Sequence, residues 1–85
     1  MNRAELEALL KERLGPRMER LGLAEHEFKT ELDLVRTGIL DSLAFVDLIT
    51  EMETAVGMQV DLEKAFDRPG ATTIGGVIEL FLNGK

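Results

Sequence analysis

Ser42 is the only serine of this 85-residue chain, and it follows Asp41 in the stretch GILDSLAF (residues 38–45). Aspartate is a preferred N-cap residue because its carboxylate accepts hydrogen bonds from the unpaired amides of a first helical turn. Ser42 would then lie at a helix N-terminus, where open amides and the positive end of the helix dipole favour an attached phosphate. The residues alone leave two interpretations open: an ordinary helix-start residue, or a hydroxyl presented for modification.

Catalysis by the chain itself has little support in the sequence. The chain has one histidine, His26, in the polar segment AEHEF, and it has no cysteine. A Ser–His–acid arrangement is conceivable, but no G-x-S-x-G motif accompanies Ser42. The acidic residues show no EF-hand or di-metal spacing. We therefore predict a protein that is not an enzyme and has no metal site, with Ser42 as a residue acted upon.

Length and composition indicate one folded domain over residues 1–85, since 45% of the residues are hydrophobic and 31% are charged. No apolar run approaches the roughly 20 residues that span a membrane. The first ten residues, MNRAELEALL, carry acids where a signal peptide would be apolar. We expect a cytoplasmic protein that does not insert into membranes.

The charge distribution points to the kind of partner. A net charge of −6 makes nucleic acid a poor partner, because such binding depends on neutralising phosphates. Residues 37–63 hold no Lys or Arg and six acids: Asp41, Asp47, Glu51, Glu53, Asp61 and Glu63. This window is either a solvated helix face or a surface that meets a basic partner.

Hydrophobic periodicity predicts an all-α fold. A first helix is expected from Arg3 to Leu14, ended by Gly15–Pro16, with a short further turn through Leu21. The second is expected from Ser42 to Val56, with Asp41 as N-cap and Gly57 after its end. Its predicted core stripe is Phe45, Leu48, Ile49, Met52, Ala55 and Val56.

A short third helix is expected at Val60–Phe66, and the last helix should run from an N-cap at Thr72 or Thr73 to Leu82. Residues 22–41 show no clean period, but they carry apolar anchors, so we predict an ordered loop pinned to the core. The expected fold is a four-helix bundle of three longer helices and one short helix, with this long loop between the first two.

The segment from Gly38 to Phe81 resembles the acyl carrier protein family, which includes the peptidyl and D-alanyl carrier proteins. The resemblance rests on the signature Asp41-Ser42-Leu43, the apolar and acidic helix after it, Gly57, a short third helix, and Thr72-Thr73-Ile74 at the last helix. The first helix also fits, so the resemblance extends over essentially the whole chain.

The resemblance implies a covalent cofactor. A phosphopantetheinyl transferase, using coenzyme A and a magnesium ion, would esterify Ser42 with 4′-phosphopantetheine, next to Asp41 at the helix N-cap. The thiol of that arm would hold an acyl or aminoacyl group as a thioester, loaded by a ligase and passed to a downstream transferase. The implied protein is a monomeric carrier.

The resemblance also implies a partner-binding surface on the second helix. Basic patches of partner enzymes would meet the acids Asp41, Asp47, Glu51 and Glu53. Leu43 and Val46 would form the apolar centre of the contact. Charges at the rim would mainly set the association rate, and the apolar contacts would set the residence time.

Some residues depart from the pattern of the fatty-acid-synthesis carriers. Ala44 and Thr54 replace usual acids, Thr50 replaces a methionine, and Phe45 is bulkier than its counterpart. The approach Gly-Ile-Leu-Asp-Ser is closer to D-alanyl and other dedicated carriers, which favours a specialised stand-alone carrier of aminoacyl or short acyl groups. The alternative is an acidic helical protein-interaction domain that has this fold and carries nothing.

Overall fold

The computed structural model describes residues 2–61, 63, 66 and 70–83. Its helices are α1 at Arg3–Arg20, α2 at Ser42–Val56 and α3 at Ile74–Asn83, with a single 3₁₀ turn at Glu25–Glu27. Within these ranges there is no β-strand, only an isolated bridge between Asp33 and Thr73. The all-α class is therefore confirmed for the part described.

Residues 62, 64 and 65 of the predicted short helix at Val60–Phe66, and residues 67–69 of the turn that follows it, lie outside the described residues. What the structure establishes is thus three helices and a long connection between α1 and α2. The four-helix arrangement stays a prediction.

Helix α1 is longer than its sequence pattern indicated, because it passes through Gly15 and Pro16 and ends only at Arg20. The predicted end at Leu14 is wrong. A proline inside a helix costs about 3 kcal/mol, since it removes a backbone hydrogen bond and crowds the preceding turn. Burial of Met18, in line with Leu14 and the leucines before it, offsets about 1.5–3 kcal/mol of that cost.

The glycine that ends α1 is Gly22, which adopts a left-handed conformation with φ of 75°. Its N–H donates to the Glu19 carbonyl at 3.1 Å, and the Leu23 N–H donates to the Met18 carbonyl at 2.9 Å. These two bonds form a Schellman motif, and they satisfy carbonyl groups that the helix end would otherwise leave unpaired. The start of α1 is closed by a capping box between Asn2 and Glu5.

The core is built from one face of each helix, and α1 packs against α3. Helix α2 has the predicted bounds, with Phe45, Leu48, Ile49 and Met52 buried. Ala55 is exposed and Val56 is half-buried, so the predicted stripe of α2 is shorter at its C-terminal end. Helix α3 contributes Ile74, Val77, Ile78 and Phe81.

The connection at residues 22–41 is ordered and anchored, as predicted from its apolar residues. Leu34, Ile39 and Leu40 are each no more than 5% exposed, and Phe28 and Leu32 pack against the same core. Buried backbone groups need partners, and this loop finds them at the start of α3.

Three backbone hydrogen bonds join the loop to the residues around the N-terminus of α3. The Ile74 N–H donates to the Leu32 carbonyl at 3.0 Å, the Gly75 N–H donates to the Thr30 carbonyl at 2.9 Å, and the Leu34 N–H donates to the Thr72 carbonyl at 2.9 Å. We call this contact, between residues 30–34 and residues 72–75, the loop clamp. It satisfies amides that a helix N-terminus otherwise leaves open.

Close approach at α3 requires glycine at position 76. A Cβ atom there would overlap the Gly70 carbonyl oxygen and lie 3.0 Å from two backbone atoms of Ala71. At Gly75 the nearest atoms, the carbonyl oxygen and Cβ of Thr30, would be 3.1 and 3.2 Å away. The turn at residues 70–71 therefore packs directly on the backbone of α3.

We expect Gly76→Ala to lower the free energy of unfolding by about 1–3 kcal/mol through overpacking, despite the higher helix propensity of alanine. Chemical denaturation monitored by circular dichroism measures this change. Gly75→Ala is the matched control and should cost less, because its new methyl group would be only slightly too close to Thr30, and a shift of a few tenths of an ångström would relieve the contact. A Gly76→Ala variant as stable as the wild type would contradict the close packing described.

Candidate modification site at the N-terminus of α2

The first turn of α2 is capped as the sequence predicted. Asp41 has extended backbone angles, and its Oδ1 atom accepts a hydrogen bond of 2.7 Å from the Ala44 N–H. The Asp41 carbonyl accepts the first helical bond, from the Phe45 N–H at 2.9 Å. Ser42 is consequently the first residue of the helix.

Ser42 is exposed, yet the backbone on either side of it is anchored in the core. Leu40, two residues before it, is 2% exposed, and Phe45, three residues after it, is 1% exposed. The Phe45 ring also lies 5.6 Å from the ring of Phe66, measured between centroids. The serine hydroxyl is therefore presented to solvent from a fixed section of main chain.

A covalently attached phosphodiester fits this environment. Within the described residues the Ser42 hydroxyl makes no hydrogen bond, so no internal contact has to break when it is esterified. The amides of Ser42 and Leu43 also make no bond to the described part of the chain, and they are free to face an anion at the helix N-terminus. The Asp41 carboxylate caps the same turn and counters part of this positive field, so the local field permits a phosphate without demanding one.

The apolar residues predicted to meet partners differ in exposure. Leu43, next to Ser42, is 74% exposed, the highest value among the exposed large hydrophobic residues in the described part of the chain. Val46, one turn further along α2, is half-buried. The structure thus brings Ser42 and one strongly exposed leucine together at one end of α2.

The acids of α2 that were predicted to face partners lie in different environments. Asp47 is exposed and makes no hydrogen bond or ion pair with the described part of the chain. Glu51 lies 3.8 Å from the guanidinium of Arg13 on α1, in an exposed ion pair that contributes little to stability. Glu53 is half-buried, and its Oε2 atom accepts a bond of 2.8 Å from the Val60 N–H. Glu53 therefore fixes the segment that follows α2.

Asp33 has a role that the sequence did not reveal. Its Oδ1 atom accepts hydrogen bonds from the amides of Val35 and Arg36, at 3.0 and 2.9 Å, and from the Thr72 hydroxyl at 2.8 Å. Thr72, which lies just before α3, is 39 positions from Asp33 in the sequence, so no local sequence pattern could have indicated this contact.

Burial alone would raise the pKa of Asp33. The Arg36 amide, the Thr72 hydroxyl, the Val35 amide and the Arg36 charge outweigh burial and hold this pKa below its usual 3.8. Because the folded state favours the charged carboxylate, the stability that it contributes is present above the unfolded pKa and is lost as the pH falls through the lower folded value.

Other chemistry is not assembled around Ser42 in the described residues. His26 lies exposed in the 3₁₀ turn between α1 and α2. In the part of the chain that the structure describes, no group of three or more His, Asp or Glu residues could hold a metal ion. No helix described here is long and apolar enough to cross a membrane.

Comparison with known proteins gives two matches. The family model described as "Phosphopantetheine attachment site" matches residues 18–80, which is more than half of the chain and includes Ser42. An acyl carrier protein of Saccharopolyspora erythraea is 35% identical over 65 residues. That match covers 76% of this chain and 65% of the relative, so the chain spans just under two thirds of the relative's length. No solved structure matches this chain.

Removing the N-cap tests how far Asp41 maintains the site. We expect Asp41→Ala to lower the free energy of unfolding by about 1 kcal/mol, because the Ala44 amide loses its acceptor. Asp41→Asn should retain most of the stability, since asparagine caps helices about as well as aspartate. Urea denaturation of the three proteins measures this. Equal losses in both variants would show that the charge matters and the capping oxygen does not.

Proposed function

This chain belongs to the phosphopantetheine attachment-site family, and from that premise we propose that it is a carrier protein with Ser42 as the point of attachment. Its cofactor is covalently bound 4′-phosphopantetheine. One observation carries the assignment of the residue: the only serine in the chain lies inside the matched region, exposed at the first position of α2. This chain has no cysteine and therefore no thiol of its own. When bound, the group supplies a thiol that can carry an acyl or aminoacyl group as a thioester.

In this proposal the residues around Ser42 present the hydroxyl and do not activate it. The Asp41 carboxylate is directed at the Ala44 amide of its own helix, so we assign it to capping. Leu40 and Phe45 hold the backbone in place on both sides. Deprotonation of Ser42 would then fall to the phosphopantetheinyl transferase, and this chain would have no catalytic activity of its own.

Leu43 and Asp47 are the residues we propose for first contact with that transferase. Both are exposed, both lie in the first two turns of α2, and Leu43 directly follows Ser42. Apolar contact at Leu43 would govern residence time, while the negative charge of Asp47 would attract a basic partner over longer distances. Val46 and Glu51 would extend the contact along the helix.

Beyond the attachment reaction, we propose a specialised stand-alone carrier of aminoacyl or short acyl groups, with residues 1–85 as one carrier domain. Ala44, Phe45, Thr50 and Thr54 support this preference over fatty-acid synthesis, because they depart from that branch of the family. A ligase that loads the thiol and a transferase that unloads it would be the further partners. The proposed setting is the cytoplasm, with the protein as a monomer.

Modification of Ser42 is tested by intact-mass spectrometry. After incubation with coenzyme A, magnesium and a broad-specificity phosphopantetheinyl transferase, the wild type should gain the mass of one prosthetic group. Ser42→Ala should gain none, because the acceptor oxygen is gone. Thr54→Ala, which removes an exposed hydroxyl elsewhere on α2, is the matched control and should be modified fully. Absence of modification in the wild type with several transferases would favour the interaction-domain alternative.

The proposed contact at Leu43 predicts a difference between two exposed leucines. Leu43→Ala should raise the KM of the transferase for this protein about tenfold, within the range seen when an interface anchor is truncated. Leu82→Ala, which shortens a 41% exposed leucine at the end of α3, should leave KM unchanged. Steady-state kinetics of coenzyme A consumption measures both.

Asp47→Asn should act differently from Leu43→Ala, by reducing kcat/KM at low salt and having little effect at high salt. Equal effects of the two leucine variants, or an effect of Asp47→Asn that does not depend on salt, would place the docking surface elsewhere.

A further inference from the structure

We propose that Asp33 is a positioning residue for Ser42: by joining the loop to Thr72, it holds the N-terminus of α2 in the arrangement that a modifying enzyme recognises. This inference rests on the proposed function of Ser42 and assigns a further residue to it. Asp33 touches no reacting atom, so its effect must pass through the chain between residues 33 and 42. Each step of that path is visible in the structure.

The first step is the contact between Asp33 and α3. One carboxylate oxygen, Oδ1, accepts the Thr72 hydroxyl at 2.8 Å, and the next residue, Leu34, donates its N–H to the Thr72 carbonyl at 2.9 Å. Thr72 is thus held through its side chain and its main chain at once. The carboxylate is charged in the folded protein, and hydrogen bonds to charged groups are stronger than those between neutral groups.

The second step is the set of hydrogen bonds within the loop that end on Asp33. Asp33 Oδ1 also accepts the amides of Val35 and Arg36, and the Asp33 carbonyl accepts the Thr37 N–H at 3.2 Å and the Thr37 hydroxyl at 2.5 Å. Loss of the carboxylate would leave two backbone donors in this turn without their acceptor. Residues 33–37 are therefore held in one turn by hydrogen bonds that Asp33 accepts.

The third step connects that turn to the modification site. The Leu40 N–H donates to the Leu34 carbonyl at 2.8 Å, and Leu34 is fully buried. Leu40 directly precedes Asp41, which caps α2, and Ser42 follows. The path from Thr72 to the helix start thus runs through two residues, Asp33 and Leu34, and ends one residue before the N-cap.

A loop that has lost this contact would still be attached by its apolar anchors, Ile39 and Leu40, but residues 33–38 would sample more conformations. A partner that needs one arrangement of Ser42 would then bind only the fraction of molecules that adopt it, which raises its apparent dissociation constant. The chemical step would be unaffected once the complex forms. The expected signature is a raised KM with little change in kcat.

The test compares Thr72→Val with Thr72→Ser in the full-length protein, at a temperature where circular dichroism shows every variant fully folded. Valine keeps the branched shape of threonine and removes the hydroxyl, whereas serine retains the hydroxyl. With the transferase and coenzyme A, we expect Thr72→Val to raise KM by up to about fivefold, the factor by which loss of one hydrogen bond shifts the population towards arrangements that the transferase does not bind, while kcat changes less than twofold. Thr72→Ser should restore the wild-type KM.

Asp33→Ala should have a larger effect than Thr72→Val, because it also removes the acceptor for Val35 and Arg36. Glu7→Gln, which removes a charge from the exposed surface of α1, is the charge control and should match the wild type. Unchanged KM in folded Asp33→Ala and Thr72→Val proteins would overturn the proposal.

Amide hydrogen exchange provides a readout that does not require the transferase. In Thr72→Val, the amides of Leu40 and Ala44 should exchange about fivefold or more faster, while the Leu10 amide in α1 keeps its wild-type rate. Equal acceleration at all three amides would mean that Asp33 contributes only to overall stability, which would overturn the positioning role. If the wild type is not modified at Ser42, the proposed function fails, whereas the exchange rates still decide whether Asp33 controls the start of α2.

Discussion

Backbone hydrogen bonds join the start of α3 to the long loop before α2, and the placement of the other elements depends on them. A helix N-terminus has amides without partners, and a buried loop has carbonyls without partners. Here the amides of Ile74 and Gly75 meet the carbonyls of Leu32 and Thr30. Leu34, a residue of this loop, is fully buried with both backbone groups satisfied, because its N–H donates to the Thr72 carbonyl and its carbonyl accepts the Leu40 N–H. The loop can therefore be long and irregular and still hold a fixed shape.

A modification site has two requirements that oppose each other: its reactive atom must be exposed, and its backbone must be ordered. Exposed segments of small domains are usually the mobile ones. In this chain the exposed residues 41–43 are flanked by two buried residues, Leu40 and Phe45, which hold the backbone on either side. The Asp41 cap then fixes the turn between them. The side chain that an enzyme would reach is thus held by neighbours that the enzyme does not touch.

A structural feature could be predicted from the sequence when the residues that determine it lie close together in the chain. The bounds of α2 followed from an N-cap aspartate and a terminal glycine, which are local signals, and the structure confirms both. The end of α1 was mispredicted because the cost of Pro16 competes with the burial of Met18, and that burial depends on residues far along the chain. The contact of Asp33 with Thr72 spans 39 positions and leaves no periodic trace. Sequence reasoning therefore singled out Ser42 as a candidate site residue but gave no indication of the contact between Asp33 and Thr72.

The acidic window around Ser42 does not act as one uniform surface. The carboxylates of Asp41 and Glu53 are bound to backbone amides, and Glu51 lies beside Arg13 of α1, which neutralises part of its field. Asp47 is the acid of α2 that combines exposure with the absence of any such contact in the described residues. The field available to attract a basic partner is therefore concentrated in the first half of α2. That half also carries Ser42 and Leu43, so the charge and the apolar side chain that we propose for partner contact lie at the same end of the helix.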